Sequence, residues 1–81
     1  MKLLKLTQGH LEDYEEYILE KQDYIKSAAW YNRMIIDAAS ESGFATELPD
    51  DLRQCSPPEI VEMTQAIIEH VNKAKQPVTK N

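Results

Sequence analysis

The side chains that could carry chemistry in this chain are one cysteine, two histidines and 14 carboxylates. Cys55, His10 and His70 stand singly, and the sequence has no CxxC, HExxH or EF-hand spacing that would cluster metal ligands. A histidine beside Cys55 would activate its thiolate, but a cysteine next to a capping serine is more typical of a small buried residue. The two glycines are isolated, so no phosphate-binding loop is present. We therefore predict a protein that is not an enzyme and has no metal site and no cofactor.

The carboxylates show one ordered pattern, an acidic ridge of Glu12, Glu16 and Glu20 at successive i,i+4 spacing. Like charges at this spacing destabilise an isolated helix by roughly 0.2–0.5 kcal/mol per pair. On one exposed helix the carboxylates are not forced into a dry cleft, so they do not make an acid–base site. The ridge is either a solvated face near a helix N-terminus, where the helix dipole favours negative charge, or a binding surface for a basic partner.

Composition narrows the class of protein. The net charge of −5 argues against nucleic-acid binding, which requires lysine and arginine to displace counterions from phosphates. No run approaches the roughly 20 apolar residues of a membrane span. We predict a soluble, cytoplasmic, single domain over residues 1–75, followed by a disordered tail at 76–81. A chain of 81 residues with one cysteine has a small core and no disulfide, which favours a homo-oligomer or a bound partner.

The elements that would position these side chains begin with an apolar stripe at helical spacing over residues 11–39. Two sets of residues repeat at seven-residue intervals along it: Leu11, Ile18 and Ile25, and Tyr17, Tyr24 and Tyr31. A continuous helix of this length would measure about 40 Å. It either breaks near Ser27, which can cap a second helix folded back on the first, or projects straight toward a partner.

Within this stripe, residues 28–39 are apolar nearly all round the helix, and such a helix must meet two neighbours. Trp30 and Met34 lie off the main stripe. They are either ordinary core residues or part of an interface, where tryptophan and methionine are enriched. The predicted partner-binding residues combine these aromatic and apolar side chains with the acidic ridge: Tyr17, Tyr24, Trp30, Tyr31, Met34, Glu12, Glu16 and Glu20.

Local signals predict the ends of the long helical region. Residues 1–6 suit either a short strand or an apolar tether, and Thr7 is a good N-cap for the helix that follows. Gly43 is a natural residue to end the helical region. A connection over residues 44–54 follows, with a predicted helical turn at 49–53.

The strongest local signal opens the last helix. Ser56 at the N-cap, Pro57 at the first helical position and Glu59 at the third form a capping box. The apolar stripe of this helix comprises Ile60, Val61, Thr64, Ile67, Ile68 and Val71. The fold class predicted is all-α, a small helical domain in which a long amphipathic first helix packs against this capped C-terminal helix.

Two stretches resemble the tail assembly chaperones of tailed bacteriophages. That family has an apolar segment, then a Thr-x-Gly-Asp-Leu-like turn that opens an acidic helix. Leu6-Thr7-Gln8-Gly9-His10-Leu11-Glu12 follows this order, with His10 where the family has Asp. Later, Glu47-Leu48-Pro49-Asp50-Asp51-Leu52 resembles the family's Leu-Pro loop before its final amphipathic helix.

The resemblance implies a small helical protein with no catalytic role, which binds the helical tape measure protein in the host cytoplasm. Such proteins keep the tape measure protein soluble until tail tube subunits polymerise around it, and they tend to self-associate. We therefore expect a protein-binding assembly chaperone. The alternative is an acidic inhibitor or nucleic-acid mimic that presents the Glu12-Glu16-Glu20 ridge to a basic protein.

Overall fold

The computed structural model describes residues 1–76, which form three α-helices and one small two-stranded sheet. The helices are α1 (Gln8–Lys21), α2 (Ala28–Glu41) and α3 (Pro57–Lys75). The strands are β1 (Lys2–Leu3) and β2 (Ala45–Thr46), paired antiparallel. The helix α2 packs against both α1 and α3. The predicted all-α fold class is confirmed.

The long helical region is broken, and Ser27 caps its second half as one alternative predicted. After α1 the chain makes a 3₁₀ turn at Gln22–Tyr24 and becomes extended at Ile25. The Ser27 Oγ then accepts a hydrogen bond from the Trp30 backbone N–H at 3.5 Å. This break lets α2 fold back on α1, so α2 packs against two helices of the same chain, although residues 28–31 at its start are exposed and not covered as predicted.

The caps of the first and last helices form where the sequence predicts them. Thr7 caps α1, and Ser56 caps α3 in a reciprocal capping box with Glu59. In that box the Glu59 backbone N–H donates to Ser56 Oγ and the Ser56 backbone N–H donates to Glu59 Oε1, each at 3.4 Å. The residues of the predicted tail from 77 to 81 lie outside the described part of the chain.

The connection between α2 and α3 differs from the prediction in two ways. First, Ala45–Thr46 is a strand, and it pairs with Lys2–Leu3, which settles the open question about residues 1–6. Second, the helical turn predicted at 49–53 is a 3₁₀ turn at Leu52–Gln54. The reason is that the Asp51 side chain accepts from the Arg53 backbone N–H at 3.0 Å, so the turn begins at Leu52, three residues later than Pro49.

Phe44 is the centre of the core, and it belongs to the connection. Its side chain is fully buried, with the Tyr14 ring centroid 5.6 Å away. The Leu4 backbone N–H donates to the Phe44 carbonyl at 2.7 Å, which extends the contact between the N-terminal segment and the connection. The other buried hydrophobic residues come mainly from α2 and α3: Met34, Ile35, Ile36, Ala38, Ala39, Ala45, Ile67 and Val71.

Candidate functional site

The two histidines face Phe44 and bind backbone groups of the N-terminal segment. Their ring centroids lie 6.2 Å (His10) and 6.1 Å (His70) from the Phe44 ring. The His10 Nδ1 accepts from the Thr7 backbone N–H at 3.2 Å, and His70 Nε2 lies 2.7 Å from the Leu4 carbonyl oxygen. Both imidazoles therefore have structural hydrogen bonds that account for their positions.

The cysteine lies away from this cluster. Cys55 is half-buried at the entrance to α3, and its Sγ lies 3.9 Å from the Asp51 carbonyl oxygen. Within residues 1–76 no group of three histidine, cysteine or carboxylate side chains is arranged to hold a metal ion. None of the helices in this described part is long and apolar enough to cross a membrane.

Trp30 is the most prominent apolar side chain on the surface of α2. It is 46% exposed and lies in the exposed first turn of α2, before the buried residues that begin at Met34. Two cations flank its ring: Lys26 Nζ lies 4.9 Å and Arg33 Cζ lies 5.9 Å from the ring centroid. Such cation–π contacts hold the indole in place at the surface while leaving part of its apolar area accessible.

Four of the predicted partner-binding residues meet on one side of Trp30. Tyr17, Tyr24, Trp30 and Met34 line a shallow depression of about 120 Å³ between the end of α1 and the start of α2. Tyr24 is 70% exposed, whereas Met34 is buried and contributes only to the floor. Tyr31 is exposed but does not line this depression. We call Tyr17, Tyr24 and Trp30 the aromatic patch.

The edge of the aromatic patch on α2 carries a partly desolvated carboxylate. Burial raises the pKa of Asp37 above its usual value, Glu41 adds to the rise, and Arg33 opposes it. The Arg33 Nε lies 3.8 Å from Asp37 Oδ2, with both side chains substantially exposed to solvent. Burial also raises the pKa of Tyr17, and the charges of Asp37 and Glu41 add to that rise. The patch is therefore amphipathic, with apolar rings beside a charged edge.

The acidic ridge lies on the exposed face of α1. Glu12, Glu16 and Glu20 are all exposed, and Glu12 accepts a hydrogen bond from Gln8 Nε2 at 3.1 Å. Glu16 and Glu20 also line a depression between α1 and α2 that holds two more carboxylates, Asp13 and Glu41, and no basic residue from the described part of the chain. Tyr17 lines this depression as well as that of the aromatic patch, so the ridge adjoins the patch.

A groove on the other side of Trp30 was not predicted. It measures about 410 Å³ and lies between the first turns of α2, the 3₁₀ turn at Leu52–Gln54 and the first turns of α3. Its lining is mainly apolar, and the charged residues that line it within the described range 1–76 are Arg33 and Arg53. Val61, predicted for the buried stripe of α3, is 39% exposed here. Because three separate segments form the groove, no single stretch of sequence indicates it.

Family models, curated proteins and solved structures each give no match to this chain. The surface chemistry of the described residues and the resemblance in sequence are therefore the observations that bear on function.

Proposed function

We propose that this chain is a protein-binding assembly chaperone that holds a helical segment of its partner against the aromatic patch. The observation that carries the proposal is the exposure of Trp30 and Tyr24, 46% and 70%, side by side at one depression. Tryptophan and tyrosine dominate the energetics of protein interfaces because they bury a large area with few rotatable bonds. Contact with a partner would remove the apolar area of these exposed rings from water.

An amphipathic helix is the partner segment that suits this surface. Such helices bind by laying an apolar stripe into a shallow groove, with polar residues at its edges. The depression at the aromatic patch is lined by its aromatic rings and by the charged groups Lys21, Arg33 and Asp37. The resemblance to phage tail assembly chaperones supplies a specific candidate: the long helical tape measure protein in the host cytoplasm.

The test is co-expression with a phage tape measure protein, the partner that the resemblance implies. We expect the soluble fraction of the tape measure protein to rise and the two proteins to co-elute. The double variant Trp30→Ala/Tyr24→Ala should lose both effects while keeping its helical circular dichroism, because both side chains are exposed. The matched control is Lys73→Ala, an exposed change in the last turn of α3.

Two results would overturn this proposal. One is an unchanged soluble fraction of the tape measure protein when the wild-type chain is present. The other is a double variant that solubilises it as well as the Lys73→Ala control does. If the double variant still captured the partner, the partner would bind a surface other than the aromatic patch.

A second candidate function is supported by the acidic depression. Among residues 1–76 its lining has four carboxylates and no basic residue, which suits a basic protein as partner: Asp13, Glu16, Glu20 and Glu41. An acidic inhibitor or nucleic-acid mimic would bind in this way.

Salt separates the two candidates. Binding of a basic protein through exposed carboxylates should weaken steeply between about 0.05 M and 0.5 M salt, because the Debye length falls to a few ångströms. Binding through the aromatic patch should persist over that range. The double variant Glu16→Gln/Glu20→Gln should abolish binding of a basic protein and leave binding through the aromatic patch unchanged.

A further inference from the structure

We propose that the partner helix crosses the first turn of α2 and occupies the groove beside Trp30 together with the aromatic patch. This footprint rests on the proposed function and deepens it, because it defines the whole surface that the partner covers and the apolar stripe that the partner needs. Three features of the chain support it: the exposed first turn of α2, the continuity of the two depressions across Trp30, and the small size of the aromatic patch.

The first turn of α2 exposes a run of apolar residues. All four residues of this turn are exposed: Ala28, Ala29, Trp30 and Tyr31. A helix that is apolar all round is normally covered on two sides, and a run of exposed apolar residues this long is a fault in a folded protein unless it serves binding. The two alanines beside Trp30 are small, so a partner helix can approach this turn closely.

The groove and the aromatic patch are continuous. Trp30 and Arg33 line both the groove and the depression at the aromatic patch, so the two depressions meet at Trp30. On the groove side Val61 is 39% exposed and Leu52 is half-buried. Apolar area therefore continues from Tyr24 past Trp30 to the first turns of α3.

The charges at the groove are balanced, so its occupant is an apolar segment and not an acidic one. The Arg33 Nε lies 3.8 Å from Asp37 Oδ2. Both arginines of the groove also line a neighbouring depression that contains three carboxylates: Asp37, Asp50 and Asp51. Since these carboxylates offset the positive charge of Arg33 and Arg53, what the groove contributes to binding is the burial of apolar area.

The aromatic patch alone is too small for a stable interface. A large aromatic side chain buries roughly 150–250 Å², so Trp30 and Tyr24 together supply no more than about 500 Å². A stable interface buries about 800 Å² on each partner. The groove, about 410 Å³ in volume, adjoins the patch and can supply the remaining area.

Trp30 projects from α2 between these two depressions, as a side chain does when it inserts into a facing helix. Where helices pack in this way, the projecting side chain fits into a hole formed by four residues of the facing helix. On an amphipathic helix the residues i, i+3, i+4 and i+7 of the apolar stripe can form that hole. With Trp30 in it, some of these side chains cover the aromatic patch and the others enter the groove. The partner segment is therefore an amphipathic helix with large apolar residues at all four positions.

The experiment uses two native reporters on this surface. Trp30 is the only tryptophan in the sequence, and Cys55, which lines the groove and is half-buried, is the only cysteine. The probe is a synthetic peptide of about 20 residues with leucines at i, i+3, i+4 and i+7, equal numbers of lysine and glutamate, and no tryptophan, tyrosine or cysteine. A peptide of the same composition with its leucines spread round the helix is the control. Tryptophan emission and the rate at which iodoacetamide alkylates Cys55 are measured as each peptide is added.

We expect the striped peptide to shift the Trp30 emission to shorter wavelength and to slow the alkylation of Cys55 over the same range of concentration. The control peptide should do neither, because it has no continuous apolar stripe to place in the two depressions. These two readouts need no substitution, so they test the footprint even if a variant fails to fold.

Two substitutions test each side of Trp30 separately. Val61→Glu changes the groove outside the aromatic patch, and Tyr24→Ala changes the patch outside the groove. Each should weaken binding by about fivefold or more in both readouts, because one peptide covers both depressions. The matched control is Asn72→Glu, which adds the same charge to an exposed position near the other end of α3 and should bind as the wild type does. Circular dichroism verifies that each variant is folded.

The footprint is wrong if the Trp30 emission shifts without protection of Cys55, or if Val61→Glu binds the peptide as tightly as Asn72→Glu. Either result would leave partner binding by the aromatic patch intact. Protection of Cys55 that survives Tyr24→Ala would also overturn the footprint, since the groove would then bind a ligand on its own. Binding of the striped peptide in both readouts, beside a tape measure protein that stays insoluble, would support the footprint and overturn only the proposed partner.

Discussion

Thr7 and His10 cap each other at the start of α1. The His10 backbone N–H donates to Thr7 Oγ1 at 3.1 Å, and the Thr7 backbone N–H donates to His10 Nδ1 at 3.2 Å. The usual capping box uses glutamate or glutamine in the second role. Here an imidazole takes that role with Nδ1 as the acceptor, so the neutral tautomer of His10 in this structure carries its proton on Nε2. The His10 ring also packs against Phe44, which links the cap to the core.

This relationship predicts different effects for two substitutions of His10. His10→Ala removes the acceptor and the ring contact, and we expect the free energy of unfolding to fall by about 1–2 kcal/mol. His10→Gln should recover part of that loss, because a glutamine at this position can accept from the N-cap backbone N–H. Urea denaturation of the three proteins measures both effects. Equal stability of the alanine and glutamine variants would show that the cap hydrogen bond contributes nothing.

Tyr14 predicts a loss of stability in alkaline solution. Burial raises its pKa from 10.0 to about 12, with smaller contributions from Tyr31 and Glu15. Because the folded state holds the phenol proton more tightly than the unfolded state, this contribution is fully present below pH 10 and is lost as the pH rises toward 12. The loss is about 2–3 kcal/mol at 1.4 kcal/mol per pKa unit.

The predicted loss of stability is tested by measuring the free energy of unfolding of the wild type and of Tyr14→Phe from about pH 9 to about pH 12. The phenylalanine variant has no proton to lose at this site, so its free energy of unfolding should fall less steeply. Tyr24→Phe is the matched control, because Tyr24 is 70% exposed, and it should follow the wild type. Parallel pH profiles for Tyr14→Phe and the wild type would contradict the assignment.

The structure and the sequence agree best where the signal is local. The caps at Thr7, Ser27 and Ser56 all form as their residue types indicate, because capping depends on three or four neighbouring residues. Gly43 ends the helical region at a positive φ of 92°, again a local requirement. The break at Ser27 could only be stated as one of two alternatives, since choosing between them depends on the contact of α2 with α1.

Agreement fails where contacts join distant segments. Phe44 belongs to a connection in the sequence and becomes the centre of the core, because β2 brings it beneath His10 and His70. The groove beside Trp30 likewise needs three segments, and only the folded chain brings Arg53 toward Arg33. The aromatic patch could be predicted in part, since Tyr17 and Tyr24 share a helical repeat, but the burial of Met34 depends on tertiary packing.

The raised pKa of Asp37 predicts that removing its charge stabilises the protein at neutral pH. Its pKa is raised in the folded state, mainly by burial, with Arg33 opposing and Glu41 reinforcing the rise. A carboxyl with a raised folded pKa contributes its stability in acid and loses it as the pH rises above the unfolded value of 3.8. Ionised Asp37 therefore costs stability at pH 7, and Asp37→Asn should unfold at higher temperature than the wild type.

The control for that substitution is Asp50→Asn, which removes one negative charge at an exposed position. Both variants change the net charge from −5 to −4, so any general relief of repulsion affects them alike. We expect the increase in melting temperature to be larger for Asp37→Asn. An increase of equal size would assign the effect to net charge, and a decrease would mean that the ion pair with Arg33 outweighs the cost of burial.

The two glycines predict effects of opposite sign when each is replaced by alanine. Gly9 lies in the first turn of α1, and a Cβ there would meet Thr7 Oγ1 at 3.7 Å, an ordinary contact. Gly9→Ala should therefore raise the free energy of unfolding by about 0.4–1 kcal/mol, because alanine has less conformational freedom to lose on folding.

Gly43 has room for a Cβ, with His10 Nε2 4.0 Å away, but its φ of +92° is one that side chains rarely adopt. Gly43→Ala should lower the free energy of unfolding by about 1 kcal/mol or more, since the strain exceeds the entropic gain. Denaturation curves of the two variants against the wild type give the signs, and a stabilised Gly43→Ala would mean that the end of α2 can shift to a negative φ at little cost.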